Sequence, residues 1–163
     1  MNAIDVLLLQ FDHNWKHAWE SVQHALKTVT AAEVAFQAPC YAKVTSESDF
    51  PPPGTILWQI HHMLWCNQHY ANVLRLRPRK EIADPPKPPM MTLDQAVAAL
   101  YESHCTLRAE VATIKETELD SPCNSTGESV AEFVSACLRH EVWHASQIAV
   151  VRRLFREGGS IPR

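Results

Sequence analysis

Residues 140 to 144 read His140-Glu141-Val142-Trp143-His144 within a long stretch of helical character. On a helix, positions i and i+4 lie one turn apart on one face, so the two imidazoles can take adjacent corners of a single metal ion. Val130, Val134, Cys137, Glu141, His144, Ile148, Val151 and Phe155 recur at alternating four- and three-residue spacing, as a bundle-facing seam does. Glu141 and His144 therefore sit in the seam, with His140 at its edge. A carboxylate and an imidazole are costly to bury unless paired, hydrogen-bonded or metal-bound. A metal would offset that cost, and it would need a third ligand.

The best-known use of this spacing is a zinc protease, with Glu141 as general base. The rest of the chain argues against it. Only 19 residues follow His144, without the distal His of the longer protease pattern, and Glu157 is the one acidic candidate among them. No convincing strand is present to line a peptide cleft. The third ligand is expected upstream.

The elements that must position it are helices. Only four Gly occur, and the 11 Pro cluster between periodic segments. The first helix is expected over residues 2–29, with Ile4, Leu8, Phe11, Trp15, Ala18, Val22, Leu26 and Val29 on one stripe. The second is expected over 55–76, behind Pro51-Pro52-Pro53-Gly54 and before Pro78. The third begins at Thr92, which forms a capping box with Gln95, and carries Leu93, Val97, Leu100, His104, Leu107, Val111 and Ile114 at heptad spacing. The fourth is expected to open at Ser125, with Glu128 three residues on, and to close at Gly158-Gly159. The architecture expected is all-α, one domain over residues 1–163: a four-helix bundle with long first and second connections and helices three and four antiparallel across a short turn. Thr30 and Glu33 could cap a turn of helix in the first connection.

At 163 residues and 46% hydrophobic the chain can build one real core. A net charge of -3 offers no basic surface for nucleic acid. Five Cys without paired spacing suit reduced thiols and a cytoplasmic location. No signal peptide and no membrane span are expected.

The nine histidines divide by helical position. His13, His17 and His24 fall opposite the apolar stripe of the first helix, and read as solvated surface or an oligomer contact such as a homodimer interface. His104 interrupts the seam of the third helix and reads equally as a hydrogen-bonded core residue or as a partner of the metal site. In the second helix Trp58, His62, Trp65 and His69 form a face opposed to Ile56, Ile60, Met63, Asn67, Ala71 and Leu74. Spacing does not choose between His61 and His62 as the third ligand. Cys137, one turn before His140 and Glu141, is a rival ligand.

The combination of Ile60-His61-His62-Met63 with His140-Glu141-Val142-Trp143-His144-Ala145-Ser146-Gln147-Ile148 resembles the DinB/YfiT-like superfamily of four-helix metalloproteins. The resemblance extends to the Pro-Gly lead into the second helix and to the helix lengths. It implies a metal site of His62, His140 and His144, with remaining positions open to water or substrate. Trp143 and Ser146 stand where the family often has His and Gly, neither of them ligand positions. Trp65 and Cys66 replace an acidic residue often found after the second-helix His.

Three neutral imidazoles suit zinc or nickel, with ferrous iron less expected. The resemblance further implies a transferase that uses a low-molecular-weight thiol, as bacillithiol- and mycothiol-dependent relatives do, acting on a small-molecule substrate. The alternatives are a metal-dependent hydrolase with Glu141 as general base and a non-catalytic bundle in which the ion only joins helices.

Overall fold

The structure, a computed structural model, describes residues 1–41, 43–45, 50–78 and 81–158. Among these described residues six α-helices occur in order: α1 (Ala3–Trp15), α2 (Val22–Leu26), α3 (Ala31–Ala35), α4 (Ile56–Leu76), α5 (Leu93–Ala112) and α6 (Val130–Arg156). Short 3-10 turns fall at Pro39–Tyr41 and Glu116–Glu118. Among the described residues no strand forms beyond a single bridge between Pro122 and Ser129. The bundle comprises α1, α4, α5 and α6.

The first helix is shorter than its apolar stripe suggests. It ends at Trp15, and the chain turns through Glu20 at φ 62° before α2 restarts the helical direction. Local polar side chains explain the break. The Ser21 hydroxyl donates to the His17 carbonyl and accepts from the His24 N–H, so it caps α2 where a continuous helix would need its backbone. Thr30 and Glu33 form the expected capping box and open α3.

The fourth helix begins one turn later than Ser125. Glu128 is drawn into a loop, accepting from Asn124 at 2.9 Å and Thr126 at 3.2 Å, and Gly127 takes a left-handed φ of 83°. Ser129 with Glu132 then supplies the capping box. Gly158 is left-handed at the far end, as a helix stop requires, while Gly159 lies outside the described residues.

Neighbouring pairs in the bundle are α4 with α5 and α6, and α1 with α5 and α6. The third and fourth long helices, α5 and α6, thus stand across the diagonal instead of packing side by side as expected. Their 17-residue link lets the chain cross the end of the bundle. Two apolar clusters fill the interior: Phe11, Leu74, Leu107 and Val134 anchor one, and Ile56, Ile60, Leu100 and Ile148 the other. Between them lies a polar layer of Asn14, Asn67, His104 and Glu141, all buried.

The two long connections cover α4. Gly54 leads into it at φ 81°, and a Cβ there would lie 2.6 Å from the Tyr41 side chain, so glycine is required by both backbone and space. Residues 81–91 run without helix or strand, and the Pro85 and Pro89 carbonyls meet Trp65 and His61 of α4.

Candidate metal centre

Helix α4 presents Gln59, His62 and Cys66 at three- and four-residue spacing, and α6 faces them with His140 and His144. The rings converge. His62 lies 5.3 Å from His140 and 4.8 Å from His144 between centroids, and His140 and His144 are 4.4 Å apart. Trp58 stacks on His62 at 4.9 Å with the planes 5° apart, fixing that ring from outside.

The hydrogen bonding of His144 selects its tautomer. Its Nδ1 meets the Gln59 side-chain oxygen, which can only accept, so Nδ1 carries the proton and a neutral ring leaves Nε2 with a free lone pair. That Nε2 lies 3.1 Å from His140 Nε2. Two nitrogens on one tetrahedral zinc, each about 2.05 Å from the ion, stand about 3.3 Å apart, so the pair is close to a ligand edge. His140 Nδ1 is buried and has no corresponding partner among the described residues.

Burial keeps these rings neutral. It pulls the His62 pKa below its ordinary value. It lowers His140 to about 4, helped by the proximity of His62, and His144 to about 3, helped by both neighbouring histidines. Neutral imidazole is the form that binds metal. Among the described residues, one set of ligand atoms all within 4.8 Å of one another comprises His62, Cys66 and His140, which could therefore hold a metal ion. His144 adjoins that set through His140.

His61 points elsewhere. It is fully buried, with Nδ1 2.8 Å from the Leu57 carbonyl and Nε2 3.1 Å from the Pro89 carbonyl. Cys137 is also fully buried, and burial raises its thiol pKa well above the ordinary value. His13, His17 and His24 are exposed along a cleft with Trp15 and Lys16, remote in contact from the cluster. His69 lies within 3.0 Å of Asp84 and stacks beside Trp65.

Glu141 turns into the bundle interior. Its Oε1 accepts from Asn67 Nδ2 at 3.2 Å and lies 2.8 Å from His104 Nδ1, while Oε2 is buried without a partner among the described residues. His104, ambiguous in the sequence, is thus a core residue joining α5 to α6 through the carboxylate beside His140. Gln59 and Cys66 were not singled out as site residues by their types. Their spacing of three and four from His62 was the available signal.

Two cavities flank the cluster. One of about 310 Å³ is lined by His62, Trp58, Trp65, Phe50, Pro51 and Lys87, among others. The other, about 390 Å³, is lined by Gln59 and Gln147 at the polar side and by Tyr41, Val150 and Leu154 on its apolar walls.

The sequence pattern of the DinB superfamily matches residues 14–148, which takes in the cluster, the whole of α4 and α5, most of α6 and only the end of α1. The chain belongs to the DinB superfamily. No curated protein matches it, and no solved structure does.

Proposed function

We propose that the protein is a cytoplasmic metal-dependent transferase that activates a low-molecular-weight thiol, with His62, His140 and His144 as its metal ligands and zinc or nickel as the metal. The observation that carries this reading is the convergence of three neutral imidazoles beside a cavity of about 310 Å³ that opens onto His62. A divalent metal held there supplies the positive charge that keeps a small thiol as its nucleophilic thiolate at neutral pH.

The chain's own residues do the rest. Gln59 fixes the His144 tautomer, and Trp58 holds the His62 ring in place. Trp65, Phe50 and the prolines give the cavity apolar walls suited to a small organic substrate. The five cysteines, none in a disulfide, support a reducing compartment, and no described helix is long and apolar enough to cross a membrane.

Hydrolysis with Glu141 as general base receives less support, because Glu141 Oε1 is occupied by Asn67 and His104 in the interior. The discriminating experiment incubates metal-loaded protein with bacillithiol, mycothiol, glutathione or coenzyme A and an electrophile, and follows loss of both. Metal-dependent turnover with one thiol, abolished in His144→Ala, is expected. Ester or amide hydrolysis without thiol turnover, lost in Glu141→Gln, would favour the hydrolase. Inactivity in both assays would leave a metal-binding bundle.

A further inference from the structure

We propose that Cys66 is itself a metal ligand, so that the resting centre combines imidazole nitrogen with a protein sulfur that an incoming thiol must replace. This rests on the three-histidine reading above for the nitrogen ligands. Cys66 lies one helical turn after His62, on the same face of α4, and is buried. Its Sγ is 3.5 Å from His62 Nε2. A tetrahedral zinc with nitrogen at about 2.05 Å and sulfur at about 2.3 Å separates those two atoms by about 3.5 Å. The sulfur thus stands at ligand-edge distance from one histidine and within 4.8 Å of the nitrogen of another, His140.

The chemical consequence differs from that of three histidines alone. Held by three imidazoles and this thiolate, a metal would have the full set of four protein ligands found in sites that hold metal without binding substrate. Substrate access would then require Cys66 to leave: it would take up the proton of an external thiol and withdraw as a neutral thiol, and the external sulfur would take its place as the thiolate. Protons and charge balance, and no oxidant is needed. Cys66 would act as an internal stand-in for the thiol substrate, covering the ion until one arrives. A sulfur ligand also tilts the choice of metal toward zinc over nickel.

The test titrates cobalt(II) alone into the purified full chain and its variants, and reads two parts of the absorption spectrum. Visible ligand-field bands report cobalt bound in a low-symmetry site, and near-ultraviolet sulfur-to-cobalt charge transfer reports a bound thiolate. Wild type is expected to show both. Cys66→Ala and Cys66→Ser should keep the visible bands and lose the charge transfer, the visible bands themselves showing that each variant is folded. Zinc X-ray absorption on wild type should find one sulfur neighbour at about 2.3 Å. Visible bands without charge transfer in wild type, or charge transfer that persists in both variants, would overturn the role of Cys66. Cobalt bands that survive His144→Ala unchanged would instead sink the three-histidine set and leave the sulfur result standing.

Discussion

His144 donates through Nδ1 to the side-chain oxygen of Gln59, and this bond leaves His144 Nε2 bare and facing His140 Nε2 at 3.1 Å. Gln59 is nearly fully buried, so the bond is screened from water. A partner on the distal nitrogen fixes both ring orientation and tautomer, and loss of such partners typically weakens metal binding by about 10- to 100-fold. Gln59→Ala is therefore expected to lower zinc affinity by about that factor in a chelator competition, with the helical circular dichroism unchanged. Gln59→Glu, which keeps an acceptor in place, should recover most of the loss. Equal affinity in wild type and Gln59→Ala would show that the bond does not organise the site.

The ligand assignment separates histidines by direction and by burial. His62→Ala, His140→Ala and His144→Ala should each lose stoichiometric zinc, measured by metal analysis after dialysis. A triple His13, His17 and His24 to Ala variant should keep it, since these residues line a separate cleft. His61→Ala should also retain zinc but unfold at lower urea concentration. It removes a fully buried ring and the one N–H that a neutral imidazole can donate to the Leu57 or Pro89 carbonyl, a loss of about 1 kcal/mol for the hydrogen bond in addition to the cavity left behind. Zinc lost from His61→Ala but retained by His62→Ala would transfer the third ligand to His61.

Much of this arrangement was legible because helical periodicity is a one-dimensional signal. The seam of α6 from Val130 to Val151 and the aliphatic face of α4 are buried as the spacing demands. The capping boxes at Thr30 and Thr92 open helices as read. Errors arose where one polar residue had competing partners. Ser21 looked like an interior position of a long helix but caps a new one, and Glu128 looked like half of a capping box but belongs to Asn124 and Thr126. The diagonal placement of α5 and α6 depends on packing between distant segments, which spacing within a helix does not encode. The partners of His104 and Gln59 were hidden for the same reason: each lies on another helix, 37 and 85 residues away.

The pair His104 and Glu141 bridges that diagonal in a polar layer between two apolar clusters. Removing His104 leaves the buried Glu141 carboxyl with Asn67 as its one hydrogen-bond partner among the described residues, and a buried polar group that loses a partner costs about 1–3 kcal/mol. His104→Leu should thus reduce unfolding free energy by about 1–3 kcal/mol in urea. Glu141→Gln should bind zinc within about tenfold of wild type, as expected for a residue beside a ligand in the chain whose carboxylate bonds Asn67 and His104 and no ligand ring. Complete loss of zinc in Glu141→Gln would make the carboxylate a direct ligand.

Acid should destabilise the metal-free protein in two overlapping windows that variants can tell apart. His140 and His144 have folded pKa values of about 4 and about 3, set first by burial, against about 6.5 when exposed. The unfolded chain therefore binds protons at higher pH than the fold does, so their contribution to stability is complete above 6.5 and declines as pH falls from there toward 4 and 3. Glu33 acts lower. Burial alone would raise its pKa, but the Thr30 N–H at 2.8 Å and Arg152 Nε at 3.0 Å outweigh burial and hold it at about 2. Its contribution is present above the ordinary value of 4.5 and is lost as pH falls from 4.5 through 2. Arg152 also donates to the Ala25 and Lys27 carbonyls, so this ion pair fastens α2 and α3 to α6. Urea unfolding of the apo protein at stepped pH should show stability falling below 6.5 and again below 4.5. A His140→Asn, His144→Asn double variant should flatten the upper window and keep the lower one, whereas Glu33→Gln should do the reverse. A double histidine variant whose stability still fell as steeply as wild type between pH 6.5 and 5 would show that these two imidazoles are not buried in their neutral form.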